Sequence, residues 1–205
     1  ASALVVARAI EADIQTIIAA STGNAGAAMA CMAASVGKQA VIIAPRSAPP
    51  AKVAQLLTFG ARVVLVDGTY DQAFDVSIEA SHELGWYNRN TGHNPYTVEG
   101  KKTAGLEIWE QVLRSREKFA KDLTVFIPVG DGNILSGVAK GFVDLLALGW
   151  IEKLPRLVGV QAEGSAAIYN AFKAGINEIT PVSAKTVADS ISVDLPRDGL
   201  RALKR

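Results

Sequence analysis

Residues 15 to 24, QTIIAASTGN, carry an apolar run of strand length straight into Ser21, Thr22, Gly23 and Asn24. A helix starting at that point presents free N–H groups and the positive end of its dipole to whatever lies beyond the strand, which suits a carboxylate or a phosphate. Ser21 and Thr22 add hydroxyl donors, Gly23 permits close approach to the backbone, and Asn24 offers both a donor and an acceptor. The same residue types are good helix caps, so local chemistry leaves capping and ligand binding both open. A second junction lies in PVGDGNILSG, residues 128 to 137. There a strand runs into Gly130, Asp131, Gly132 and Asn133, whose successive N–H groups could form a nest for an anion at a helix N-terminus. The Asp131 side chain is compatible with this if it points outward or caps the helix while the backbone binds. Neither the P-loop nor the dinucleotide-binding glycine spacing is present, and taken alone a Gly-Asp-Gly segment is more often just a turn. Taken together, the two junctions suggest one ligand with two anionic ends held between two lobes.

Other reactive side chains have plainer readings. The single cysteine, Cys31, excludes an internal disulfide and reads as a small buried hydrophobe within an alanine-rich helix. His82 and His93 read as a helix-surface residue and a loop residue, and the two histidines give no metal-ligand cluster. Lys38, Lys52, Lys101 and Lys102 read as solvated charges, and Trp86, Trp109 and Trp150 as packing residues.

The elements that must position the two junctions follow a βα alternation. Strand-length apolar runs fall at 15–21, 39–45, 61–68, 86–90, 123–130 and 156–164, with helical periodicity at 24–36, 50–59, 70–84, 97–119, 133–148 and 165–174. Strands apolar on both faces, each separated by a helix, predict an α/β fold with parallel sheets covered by helices. In the 97–119 helix, Leu106, Trp109 and Leu113 mark the apolar face, with Glu107, Glu110 and Arg114 turned away. RNTGHNP, residues 89 to 95, supplies loop residues, so a domain boundary is predicted near residue 96, dividing 1–96 from 97–205. Both ends read as interrupted helices, and the chain is taken as the middle of a longer protein.

Of the 205 residues 49% are hydrophobic, and 21 Lys and Arg stand against 20 Asp and Glu. Such a balance gives no field to attract nucleic acid or an anionic membrane, and no segment reaches the roughly 20 apolar residues of a membrane span. One cysteine and no leader-like segment point to a reducing, cytoplasmic setting.

AASTGNAGAAMACMAASVGKQAVIIAP, FGARVVLVDGTYDQA, NPYTVEGKKTAGLEIWEQ and FIPVGDGNILSGVAKGF occur in that order. These blocks resemble the pyridoxal-phosphate enzymes of fold type II, and among them the threonine synthase branch, over essentially the whole chain. The resemblance implies two lobes with mainly parallel sheets, incomplete at both ends: residues 1–96 as a smaller mobile lobe and 97–205 as part of a larger one. It implies pyridoxal 5'-phosphate as cofactor, an amino-acid substrate, a homodimer when full length, and conversion of O-phospho-L-homoserine and water to L-threonine and phosphate. Ser21, Thr22, Gly23 and Asn24 correspond to the family's substrate-carboxylate loop, with Asn24 also reaching the cofactor's 3'-oxygen. Gly130, Asp131, Gly132 and Asn133 correspond to the loop for the cofactor phosphate, one residue shorter than the commoner form. The Schiff-base lysine is expected upstream of Ala1, so no catalytic residue is assigned within the chain, which alone is expected to be inactive. Threonine synthases often carry a threonine and an arginine where this sequence has Ala25 and Thr97. A serine or threonine dehydratase, another fold type II enzyme, and a non-catalytic binding module are the alternatives.

Overall fold

The computed structural model describes residues 1–113 and 123–205, which form two compact units, Ala1–Thr97 and Val98–Arg205. The first unit begins with α1 (Ser2–Glu11), β1 (Thr16–Ala20), α2 (Asn24–Ser35), β2 (Gln39–Pro45) and α3 (Pro50–Thr58). It continues with β3 (Arg62–Val66), α4 (Tyr70–Leu84), the two-residue strand β4 (Tyr87–Asn88) and the start of α5 (Tyr96–Lys101). Its strands are all parallel, in the order β3-β2-β1-β4, with Ile17 opposite both Ala40 and Tyr87.

Alternation along β1 and β2 sends side chains to two separate cores. Ile17, Ala19, Ala40 and Ile42 pack with Val5 and Ala9 of α1, Met29, Ala30 and Ala33 of α2, and Leu56 of α3. On the other face Ile18, Val41 and Ile43 meet Ala73 of α4. Central parallel strands buried on both sides are why these runs are apolar without interruption. Edge strand β3 differs, leaving Val64 and Leu65 exposed. A capping box at Thr69 and Gln72 starts α4, and left-handed Gly85 ends it.

The second unit holds α6 (Thr103–Ile108), a π-helical turn (Trp109–Leu113), β5 (Thr124–Pro128), α7 (Asn133–Ala147) and β6 (Arg156–Val160). Then come a 3-10 turn (Glu163–Ser165), α8 (Ala167–Ala174), a second such turn (Asp189–Ile191) and α9 (Gly199–Leu203). β5 and β6 pair in parallel. Ile127 and Val129 lie in one core with Leu135, Val138, Phe142 and Leu145 of α7. Phe126, on the other face of β5, is 69% exposed, and Val160 of β6 is exposed too.

The single helix expected at 97–119 is two short helices and a π-helical turn as far as residue 113; the remainder, including Arg114, lies outside the described residues. The break falls at Lys102, where α7 crosses closely: a Cβ on Gly141 would stand 2.5 Å from the Lys102 carbonyl oxygen, and one on Gly105 2.7 Å from that of Val138. Leu106 and Trp109 do face the core, with Glu107 and Glu110 exposed. Trp109 stacks on Trp150 with ring centroids 4.7 Å apart.

Lys102 is not a merely solvated charge. Its Nζ lies 2.9 Å from Asp144 and 3.1 Å from Glu99, and Lys140 bridges the same two carboxylates. The hydrogen bond from Lys102 holds the Asp144 carboxyl below its ordinary range, burial opposing it and Lys140 adding to it. For a carboxylate so lowered, the stabilisation is present above its ordinary pKa and disappears as pH falls through the depressed one. Lys102→Met therefore loses about 0.5–1 kcal/mol of stability near neutral pH. That difference from the parent shrinks in strongly acidic buffer, as urea denaturation at the two pH values would measure.

Candidate functional site

Both glycine-containing junctions lie where a parallel strand hands over to a helix, which is where open α/β sheets place their ligands. Ser21 to Gly23 connect β1 to α2, and Val129 to Gly132 connect β5 to α7. The former belongs to the first unit and the latter to the second.

At the first junction, helix α2 begins at Asn24 with Gly23 as its extended N-cap, and no side chain caps it. The Ser21 hydroxyl instead accepts the Gly26 N–H at 3.2 Å. Among the described residues the N–H groups of Thr22 and Gly23, the Thr22 hydroxyl and the Asn24 amide make no hydrogen bond. Asn24 is exposed, and Ser21, Thr22 and Gly23 are half-buried. The helix behind the loop has so little bulk for a steric reason. A Cβ on Gly26 would stand 2.1 Å from the Ser21 carbonyl oxygen, so only glycine lets α2 meet the loop at this distance. Met29, Ala30 and Ala33 then form the buried stripe of α2.

Cys31 corrects a sequence expectation. It is exposed, because it falls beside that stripe rather than on it. A helix built almost wholly of alanine gives little contrast between faces, so periodicity could not place it.

The loop is held from behind by asparagines that sequence reasoning took for turn residues. β4 pairs with β1 for only two residues, Tyr87 and Asn88, after which Arg89 N–H donates to the Ile18 carbonyl at 2.8 Å. One step on, a side chain replaces the backbone: Asn90 Oδ1 accepts the Ala20 N–H at 2.7 Å. Asn90 is buried, with its Nδ2 donating to Ser77 Oγ at 2.6 Å and its N–H to Asn88 Oδ1 at 2.8 Å. Asn88 Nδ2 donates to the Ser77 carbonyl at 3.0 Å, and Asn94 Nδ2 to the Asn88 carbonyl at 2.8 Å. Thr97, one of the two positions departing from the resembled pattern, is wholly buried and donates its hydroxyl to the Asn94 carbonyl at 2.7 Å. The available signal was the density of asparagines in NRNTGHN, residues 88 to 94, too high for a plain turn.

At the second junction Gly132 has φ +90° and caps α7, and its N–H and those of Gly130 and Asp131 donate to nothing among the described residues. The glycines answer to the chain's own packing. A Cβ on Gly132 would stand 2.7 Å from Ala202 Cβ, and one on Gly130 3.1 Å from Ile191 Cα. Asn133 is buried and donates to Asp198 Oδ2 at 3.3 Å. Asp131 Oδ1 accepts the Arg197 N–H at 3.1 Å. Burial pushes the Asp131 carboxyl up; that hydrogen bond and the charges of Lys101 and Arg197 oppose the shift, while Asp198 adds to it.

His82 and His93 meet with ring centroids 6.3 Å apart beside an open cleft of about 380 Å³, and burial followed by the His82 charge pushes the His93 pKa down. Among the described residues no cluster of three or more His, Cys, Asp or Glu side chains could hold a metal ion, and no helix is long and apolar enough to cross a membrane.

A family model described as pyridoxal-phosphate dependent enzyme matches residues 1–205. The chain belongs to this family. It is 36% identical over 200 residues to the threonine synthase of Methanosarcina acetivorans, covering 97% of this chain and 48% of that protein. The threonine synthase of Methanocaldococcus jannaschii is 32% identical with the same coverage. The chain thus spans about half the length of the curated relatives it matches. Among solved structures, the processed form of threonine deaminase isoform 2 from Solanum lycopersicum superposes with a TM-score of 0.76 at 25% identity, covering 98% of this chain and 54% of that one. A threonine deaminase from T.th. gives 0.76 at 28% identity, covering 98% and 62%. The fold is that of the fold type II pyridoxal-phosphate enzymes, and the family's cofactor is pyridoxal phosphate.

Two substitutions test how this family member holds its first loop. Gly26→Ala drives a methyl group into the Ser21 carbonyl and costs about 1–3 kcal/mol in denaturation experiments. Asn90→Ala strands the buried Ala20 N–H and costs a similar amount, about 1–3 kcal/mol, whereas Asn24→Ala, which breaks no bond within the described residues, leaves the denaturation midpoint near that of the parent.

Proposed function

We propose that the protein carrying this chain is a pyridoxal-phosphate dependent lyase of the threonine synthase type, converting O-phospho-L-homoserine and water to L-threonine and phosphate. In this reading the loop of Gly130, Asp131, Gly132 and Asn133 holds the cofactor's phosphate, and Ser21, Thr22, Gly23 and Asn24 hold the substrate's carboxylate. The observation that carries it is a set of unused donors: five loop N–H groups, two in the first junction and three in the second, bond to nothing among the described residues. Such groups at the start of helices of 12 and 15 residues fit anions.

The cofactor, when bound, supplies an electron sink for carbanions next to the substrate's amino-bearing carbon. The chain's own part is to bind and orient. Backbone donors of residues 130–132 take the phosphate without a cationic side chain in the loop. The N–H groups of residues 22 and 23 and the Thr22 hydroxyl take the carboxylate, with Ser21 holding the loop on α2 through the Gly26 N–H, and the Asn24 amide reaches the cofactor's ring oxygen. The resemblance to the family implies that the lysine that moves the proton lies upstream of Ala1, and this reading takes it from there. The same reading makes residues 1–96 the smaller mobile lobe and 97–205 part of the larger, in a cytoplasmic homodimer.

A second reading, a serine or threonine dehydratase, is favoured by one observation. Thr97 is buried and bonded to Asn94, and Ala25 has no polar group, so the two positions where threonine synthases often carry phosphate ligands offer none here.

Assays of the whole protein separate these. Phosphate and threonine release from O-phospho-L-homoserine is the expected outcome, and Asn24→Ala or Thr22→Ala raises KM for the amino acid about tenfold. Release of ammonia and a 2-oxo acid from serine or threonine, with O-phospho-L-homoserine left intact, replaces the first reading by the second. Failure to bind pyridoxal phosphate at all, seen as the absence of its visible absorbance band, leaves a non-catalytic module.

A further inference from the structure

A carboxylate in the middle of a loop read as a phosphate cradle needs explanation, since like charges brought together disfavour ionisation and binding alike. The geometry around Asp131 supplies one. Its side-chain Oδ1 accepts the Arg197 N–H at 3.1 Å, and its carbonyl oxygen accepts the Asp198 N–H at 3.0 Å. Two residues on, Asn133 Nδ2 reaches Asp198 Oδ2 at 3.3 Å. Three bonds therefore tie the loop to the two residues before α9, which sits close enough that a Cβ on Gly132 would strike Ala202. The carboxylate is engaged by the turn, while the N–H groups of Gly130, Asp131 and Gly132 are engaged by nothing among the described residues.

We propose that Asp131 is a positioning residue of the cofactor-phosphate cradle, clipping the loop to the Arg197–Asp198 turn by side chain and carbonyl together so that its N–H groups are left for the anion. This rests on the reading of residues 130–133 as that cradle. What the clip requires at position 131 is an acceptor of the Arg197 N–H, not a negative charge. Burial already raises the Asp131 carboxyl, with Asp198 acting in the same direction and Lys101 and Arg197 against it. A phosphate alongside adds to the upward push, so a neutral acceptor serves the site at least as well as a charged one.

The test compares pyridoxal phosphate with pyridoxal, which lacks the phosphate, in fluorescence titrations of the cofactor-free whole protein. The parent binds the phosphorylated form far more tightly. Asp131→Ala reduces affinity for pyridoxal phosphate about tenfold or more, while affinity for pyridoxal moves less than about twofold. Asp131→Asn, which keeps an acceptor, stays within about threefold of the parent for both. Equal losses for the two ligands in Asp131→Ala, or no loss for either, overturn the proposal while leaving the cradle reading intact. A parent that binds the two ligands equally overturns the cradle reading itself. Should Asp131→Ala not fold, Asp131→Asn decides alone: a tenfold loss specific to pyridoxal phosphate means that the charge was required, and the clip is wrong.

Discussion

One buried hydrogen bond governs the geometry of the first loop, that from the Ala20 N–H to Asn90 Oδ1. β1 is a central strand, so every N–H along it needs a partner within the protein. Its neighbour β4 lasts two residues, one step too short to serve the strand's last donor. The asparagine side chain extends the ladder past the end of that backbone pairing, and β1 stays in register to the point where the loop departs.

The second junction solves a similar problem by other means. There the loop is fixed through Asp131 and Asn133 to residues 197 and 198, and glycine at 130 and 132 admits the neighbouring chain at close range. In both places the atoms that hold the loop differ from the loop N–H groups that make no hydrogen bond among the described residues. On the reading proposed above, fixed donors of this kind need no reorganisation to meet an anion, which is the physical meaning of preorganisation.

The residues made much of this legible. Every expected strand is present within a few residues, because parallel strands buried on two faces write their burial as unbroken apolar runs, as in QAVIIAP. The two junctions could be found because strand ends and helix starts leave local signatures in Ser, Thr, Gly and Asn. What could not be read depends on partners distant in sequence. Asn90 acts on a residue 70 positions away and Asp131 on one 66 away. Nothing in NRNTGHN or GDGN names those partners. The break at Lys102 was hidden for the same reason, since it coincides with a crossing by Gly141 rather than with a helix-breaking residue of its own. Cys31 was misplaced because alanine neighbours blur the distinction between the two sides of a helix.

The contact between Gly26 and the Ser21 carbonyl also restricts how such a protein can diverge. With no room for even a methyl group at residue 26, the start of the helix keeps its close approach to the loop only with glycine there. On the reading proposed above, changes in ligand preference then fall to positions whose side chains have no such contact, such as Thr22, Asn24 and Ala25. A lineage could exchange one amino-acid substrate for another at those places while the backbone path beneath them stayed fixed, so relatives with different chemistries would keep the same small-residue helix.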